Sequence, residues 1–148
     1  MSSTLRERAL RLLARREHAR AELARKLSPH ADSAEELEAL LDDLVARRLL
    51  SDERYVEMRM NSRAARFGNA RLAYELRTQG ISEELMDSAL AASGPELTRA
   101  RLVWLGKFGN KTGPSDAAGR ARQTRFLMSR GFPGDIIRRV LRGDFEDD

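Results

Sequence analysis

Arg71–Leu90 reads RLAYELRTQGISEELMDSAL and Arg122–Leu141 reads RQTRFLMSRGFPGDIIRRVL, and the two stretches align over twenty residues without a gap. Leu76 stands opposite Leu127 and Gly80 opposite Gly131, while Leu85, Met86, Ala89 and Leu90 stand opposite Ile136, Ile137, Val140 and Leu141. Apolar residues at these spacings make one face of a helix, and the glycine ends the helix before it. A related tetrapeptide precedes each copy, Arg66-Phe67-Gly68-Asn69 and Lys107-Phe108-Gly109-Asn110, and the second lies ten residues further from its stretch. A supersecondary unit that occurs twice predicts a stacked helical repeat with an extended surface rather than a single enzyme pocket.

Outward from this duplication the chain reads as helix after helix. Thr4 and Glu7 form a capping box for a first helix running to about Glu17. A short second helix covers roughly Ala19 to Ser28 and stops before Pro29. Ser33 and Glu36 open a third, with Leu37, Leu40, Leu41, Leu44 and Val45 on one face. Ser51 or Asp52 caps a fourth helix to about Arg66, a fifth ends at Gly80, a sixth starts at Ser82-Glu83-Glu84, and a seventh follows Gly94-Pro95. Lys111 to Gly119 is the clearest loop, an eighth helix ends at Gly131, and a ninth begins near Pro133. The fold expected is all-α, an elongated tandem array of about nine helices in three-helix repeats. The expected units are 1–50, 51–93 and 94–143, with an acidic tail at 144–148.

Composition agrees. Of 148 residues, 41% are hydrophobic and 34% charged, which suits a helix-rich chain. With no cysteine, disulfides and thiolate metal sites are excluded. No apolar run approaches the roughly 20 residues that span a bilayer, and the N-terminus lacks a secretory pattern. The expected location is the cytoplasm.

Net charge is only +4, yet it alternates along the chain. Met1 to His30 holds eight bases and three acids, and Ala31 to Met58 three bases and nine acids. Arg59 to Ile81 is basic by five to one, Ser82 to Thr98 has four acids and no base, and Arg99 to Arg125 is basic by seven to one. Solvated helix faces that attract one another, or a basic stripe assembled by the fold, both answer to this pattern.

Chemistry for catalysis is missing. His18 and His30 are isolated near helix ends and read as surface or capping residues. There is no phosphate-cradling glycine loop with lysine, no nucleophile elbow and no metal-ligand spacing, so neither an enzyme nor a cofactor is expected. What remains is arginine. Arg59, Arg63, Arg66, Arg71 and Arg77 recur at spacings of three to six across the expected join between the first and second units, and Lys107, Lys111, Arg120, Arg122, Arg125 and Arg130 recur across the next join. Guanidinium groups present a fork of donors that matches phosphate oxygens. Six such residues on single-stranded phosphates give a slope of log K against log salt of roughly −4. Phe67 and Phe108 read as plugs at helix corners in preference to platforms for bases. Arg20 to Leu27 followed by the leucine-rich third helix resembles the start of a winged helix-turn-helix, but Asp52 to Arg66 is helical where a β-hairpin wing belongs.

The order of four segments resembles the RecX family, regulatory proteins that restrain the RecA recombinase. They are ALRLLARREHARAELARKL (Ala9 to Leu27), LLSDERY (Leu49 to Tyr55), RFGNARLAYELRTQGIS (Arg66 to Ser82) and RFLMSRGFPGDIIRRV (Arg125 to Val140). One departure is Ala19, where the family often has a capping serine; alanine there is expected to weaken the second helix's cap by about 1 kcal/mol. The resemblance implies a monomer that binds the RecA filament, in its groove or at its end, and so reduces strand exchange, ATP hydrolysis and co-protease action. Single- and double-stranded DNA are the further partners, and no membrane is involved. The other class of function is a DNA-binding protein that masks DNA or reads an operator.

Overall fold

The computed structural model describes residues 3–109, 114 and 116–144. Nine α-helices follow one another: α1 (Leu5–Arg15), α2 (Arg20–Leu27), α3 (Ala34–Ala46), α4 (Asp52–Arg63), α5 (Asn69–Thr78), α6 (Glu83–Ala92), α7 (Glu96–Phe108), α8 (Ala117–Ser129) and α9 (Gly134–Arg142). A 3-10 turn at Ser28–His30 extends α2, and no strand occurs among the described residues. The fold is an all-α helical repeat.

The starts follow the capping chemistry. Thr4, Ser33, Ser51, Ser82 and Asp116 each accept a backbone N–H from the first turn of α1, α3, α4, α6 and α8. Gly80 and Gly131 take left-handed φ values of +74° and +90° and end the α5 and α8 segments. Asp116 opens α8 inside the stretch expected to be loop, because its carboxylate accepts the Gly119 N–H at 2.7 Å. α4 is shorter than expected and closes at Arg63 in a turn, so Phe67 lies outside it. Phe108 lies inside α7, so the two tetrapeptides are not structurally equivalent: Gly68 precedes a helix and Gly109 follows one.

Three apolar cores form in sequence. Leu23, Leu27, Leu41 and Leu44 centre the first, built by α1–α3. Tyr55, Val56, Leu76, Ile81 and Met86 centre the second, from α4–α6. Trp104, Leu127, Phe132, Ile137 and Val140 centre the third, from α7–α9, where Trp104 Nε1 donates to Gln123 Oε1 at 2.7 Å. Leu37, Leu40, Leu41 and Leu44 are buried as their spacing predicts, but Val45 is exposed at the end of the stripe. Ala19 belongs to the second core although it starts a helix of the first, which ties the two groups together.

Both joints are made the same way. The Arg20 N–H, first in α2, donates to Asp52 Oδ1 at 2.8 Å, and Asp52 is the first residue of α4. The Asn69 N–H, first in α5, donates to Glu96 Oε2 at 2.6 Å, and Glu96 is the first residue of α7. The cap positions themselves, Ala19 and Gly68, have no side-chain acceptor. Each middle helix is therefore capped by an acid from the group that follows it. Ala19 itself makes no side-chain cap, as expected, while Asp52 serves the Arg20 N–H and Glu22 Oε1 accepts the Ala19 N–H at 3.3 Å. The turn glycines then press on the same helix starts. A Cβ on Gly80 would lie 2.7 Å from Ala21 Cβ, and one on Gly131 would lie 2.8 Å from Arg71 N.

Candidate functional site

Spacing in the sequence predicts one basic cluster at each join. Instead, Arg59, Arg63, Arg66 and Arg71 lie with Lys107 and Arg130 at the second joint, because the α4–α5 turn packs against α7 and α8. Phe67 is buried where the α4–α5 turn meets α8, held by the Gly68 N–H donating to Arg130 O at 2.6 Å. A Cβ on Gly68 would stand 2.7 Å from Phe132 N, so only glycine lets the two backbones meet. Four guanidinium groups surround the buried ring: Arg63 and Arg71 each 4.3 Å from its centroid, Arg130 at 5.2 Å and Arg66 at 5.4 Å. Arg130 also lies 5.2 Å from the Phe126 ring, which Lys107 approaches at 5.7 Å. Phe126 in turn packs edge-on against Phe108, with centroids 5.5 Å apart. Phe67 is a buried corner plug, Phe108 and Phe126 are half-buried, and the faces of Phe67 and Phe126 hold cations by their quadrupoles.

One carboxylate serves this cluster. Glu75 takes a bidentate pair from Arg63, with Nε at 2.7 Å, and lies 3.8 Å from Arg59 and 3.7 Å from Arg71. Arg71 also donates to Ser129 O at 3.0 Å, bracing α5 against the end of α8. Arg66, Lys107 and Arg130 make no ion pair among the described residues, and with Leu102, Val103 and Gly106 they line one shallow depression. Arg120, Arg122 and Arg125 are exposed on α8, likewise without an ion pair among the described residues. Six cations thus crowd one carboxylate at the joint, and three more extend the positive surface along α8.

Two expected members stand apart. Arg77 points away into a pair with Glu83 at 2.7 Å, which raises the guanidinium through the hydrogen bond first and charge next, and lowers the carboxyl through the hydrogen bond first, against desolvation and with the aid of charge. Lys111, together with the acidic tail beyond Asp144, lies outside the described residues.

Sequence reasoning missed the residue that fixes the joint. Arg99 is buried on α7 and donates to Ala64 O at 2.9 Å, Asn69 Oδ1 at 2.6 Å and Phe67 O at 2.5 Å. Burial pulls its guanidinium below the ordinary value, opposed by the charge of Glu96. Its acceptors come from the chain some thirty residues earlier, so no local pattern marks it.

His18 is also not the surface residue expected. It is buried, with Nδ1 3.0 Å from Arg16 O and Nε2 3.0 Å from Lys26 Nζ. The lysine can only donate, so Nε2 accepts and Nδ1 carries the proton. Burial lowers the imidazole's affinity for a second proton, as do the charges of Arg16 and Lys26; the hydrogen bond to Arg16 O and the charge of Glu22 oppose this. His30 is exposed. Among the described residues no group of three or more His, Cys, Asp or Glu could hold a metal ion, and no helix is long and apolar enough to cross a membrane.

Comparison with known proteins agrees with this architecture. Residues 51–90 match the family described as "RecX, second three-helix domain" and residues 95–141 "RecX, third three-helix domain". A "Regulatory protein RecX" from Leptothrix cholodnii is 53% identical over 147 residues, covering 98% of this chain and 92% of that protein. Another from Chromobacterium violaceum is 46% identical and covers 98% and 93%. In three dimensions the chain is similar to the crystal structure of RecX from Lactobacillus salivarius, with a TM-score of 0.76 over 95% of this chain and 94% of that one. At 17% identity that likeness speaks for the fold alone. Matched family domains over more than half its length and these close relatives show that the chain belongs to the RecX family of regulatory proteins.

Proposed function

We propose that the chain regulates a RecA recombinase by binding its DNA filament through the second joint, and so inhibits strand exchange, ATP hydrolysis and co-protease action. The observation that carries this reading is the excess of cations around Phe67 and Phe126. Arg66, Lys107 and Arg130 line a shallow depression, and among the described residues no carboxylate pairs with them. Leaving like charges together costs stability in the free protein, and an anionic partner removes that cost. A filament offers phosphates and acidic protein surface side by side. The division into units at 1–50, 51–93 and 94–143 is part of the same proposal, as are action as a monomer and a cytoplasmic location. No step of bond making is assigned to any residue.

Reversing charge at Arg66, Arg71, Lys107 and Arg122 together is expected to abolish inhibition of DNA-dependent ATP hydrolysis while circular dichroism keeps its helical signal. Full inhibition by that variant would overturn the assignment.

A second reading is favoured by α8, which carries Arg122 and Arg125 on one side and Arg120 on another and holds no acid between Ala117 and Ser129. In that reading the protein masks DNA and leaves the recombinase untouched. Titration separates the two. A filament regulator suppresses ATP hydrolysis well below one copy per recombinase, whereas a masking protein needs enough copies to cover the strand and is relieved by excess DNA.

A further inference from the structure

A second basic site lies in the first three helices, built from residues that spacing in the sequence did not single out. Arg8, Arg11 and Arg15 recur on α1 at i, i+3 and i+7, which places them on one face. Together with Lys26 of α2 and His30 they line a pocket of about 330 Å³ floored by Leu12 and Leu27. No carboxylate lines it. Glu7 is the only acid in α1, and it lies outside the lining. The acid nearest Lys26 is Glu22, at 3.9 Å, already held bidentately by Arg16 at 2.6 and 3.1 Å.

These arginines do little for the fold. Arg11 and Arg15 are exposed and Arg8 is half-buried; the side chains of Arg8 and Arg15 make no hydrogen bond or ion pair among the described residues, and that of Arg11 reaches only Ser3 Oγ at 3.0 Å. Like charges three and four residues apart on a helix repel, so the row is a small cost that the folded chain bears without internal return. Elsewhere in the same group arginines find acids: Arg20 pairs with Glu38 and Asp42, Arg47 with Asp43. Arg25, which reaches Gln79, and Arg48 also lack an ion pair among the described residues, but they stand singly, whereas Arg8, Arg11 and Arg15 make a row.

We infer that this pocket is a second contact for nucleic acid, binding backbone phosphates at the end of the molecule formed by α1 and α2. The row from Arg8 to Arg15 spans about 10 Å of helix, the rise of about three nucleotides along one strand of a duplex. Forked, always-charged donors suit phosphate oxygens. An acidic peptide would need an apolar anchor to be held in place, but Leu12 and Leu27 are already packed into the first core. What the pocket offers is positive charge without base-reading or apolar chemistry, so the contact is independent of sequence. Two such sites on one chain let a single strand engage at both, the second contact being made at a high effective concentration.

The test uses the full chain and a fluorescently labelled single-stranded oligonucleotide of about 30 nucleotides, with anisotropy followed across salt concentrations. Replacing the three arginines by glutamine (R8Q/R11Q/R15Q) is expected to weaken binding tenfold or more, as a rough figure, and to reduce the salt slope by about 2, some 0.7 for each lost phosphate contact. The matching lysine variant, which keeps the charges, is expected to retain most of the slope. Wild-type affinity and slope in the glutamine variant would overturn the site. So would a lysine variant as weak as the glutamine one, which would mean that α1 had been disturbed. Competition by oligoglutamate as effective as that of an unlabelled oligonucleotide would replace phosphate recognition by bare charge attraction and would also end the proposal. No recombinase is present in this assay, so its failure leaves the filament reading standing, and the reverse holds as well.

Discussion

The two joints of this molecule share their geometry and differ in their charge. At each, the first residue of one group caps the middle helix of the group before it, Asp52 onto α2 and Glu96 onto α5, and a left-handed turn glycine presses on the same helix start. Around the first joint the arginines are answered: Arg16 by Glu22, Arg20 by Glu38 and Asp42, Arg54 by Glu17. Around the second, Glu75 pairs with Arg59, Arg63 and Arg71, and Arg66, Lys107 and Arg130 make no ion pair among the described residues. Because the backbone device is the same, structure cannot explain the surplus. The first joint pairs the charges of Arg16, Arg20 and Arg54 internally, and the second carries cations without a paired acid among the described residues, the surplus on which the proposed filament contact rests.

The largest expected effect lies where the second joint replaces apolar packing with a buried cation. Arg99 is the fourth residue of α7, and the fourth residue of α4 is the buried Tyr55. Arg99→Ala would strand Ala64 O, Phe67 O and Asn69 Oδ1 together, at about 4 kcal/mol. Thermal unfolding should show a loss of about 10 °C for a domain of this size. A shift under 2 °C would mean that water satisfies those acceptors and that Arg99 does not hold the joint.

The next effect tests whether the joints are truly equivalent. Asp52→Ala and Glu96→Ala each remove one cap supplied from outside its helix, and each should cost about 1 kcal/mol, read as a fall of about 3 °C in Tm. Equal losses support one device used twice. A loss confined to Glu96 would show that Glu22, by accepting from Ala19, already suffices at the first joint.

Much of this was legible in the sequence, and the limits have physical reasons. Helix order, the caps at Thr4, Ser33 and Ser82 and the turn glycines follow from local chemistry, and the structure reproduces them. The basic residues were legible but their gathering was not: spacing assigned Arg63, Arg66 and Arg71 to one join and Lys107 and Arg130 to the next, and the packing of the α4–α5 turn on α8 brings all five to the second joint. What could not be read depends on partners far along the chain. The cap on Arg20 comes from Asp52 and that on Asn69 from Glu96, while Arg99 seeks carbonyls across a joint. Val45 and His18 show the converse error: a heptad-like spacing suggested burial for one, isolation suggested exposure for the other, and tertiary packing reversed both. Phe108 misled for a simpler reason, because a matching tetrapeptide does not guarantee matching backbone once ten residues are inserted after it.

The smallest effect distinguishes the joints by acid. His18 sits near the first joint among Arg16, Glu22 and Lys26, buried and neutral, with its proton affinity lowered from the ordinary value of 6.5. The unfolded chain then binds a proton more readily than the folded one, so stability rises with pH across that window. Its contribution is complete above about pH 6.5 and is lost as pH falls from there toward the lower folded value. The Glu22 carboxyl acts in a separate range. Burial alone would raise it, but the hydrogen bonds and charge of Arg16 outweigh burial and set it below its ordinary 4.5, so its contribution fades only under more acid conditions. Between pH 7.5 and 5.5 His18 therefore dominates at this joint, and wild-type Tm should fall by about 2 °C more than that of His18→Gln. The second joint has no histidine among the residues described around it, so amide exchange at Gly68 and Asn69 should not quicken over the same interval beyond its ordinary dependence on pH, while exchange at Ala19 and Arg20 should. Coincident profiles for wild type and His18→Gln, or equal exchange changes at both joints, would show that the first joint's paired charges give it no separate sensitivity to acid.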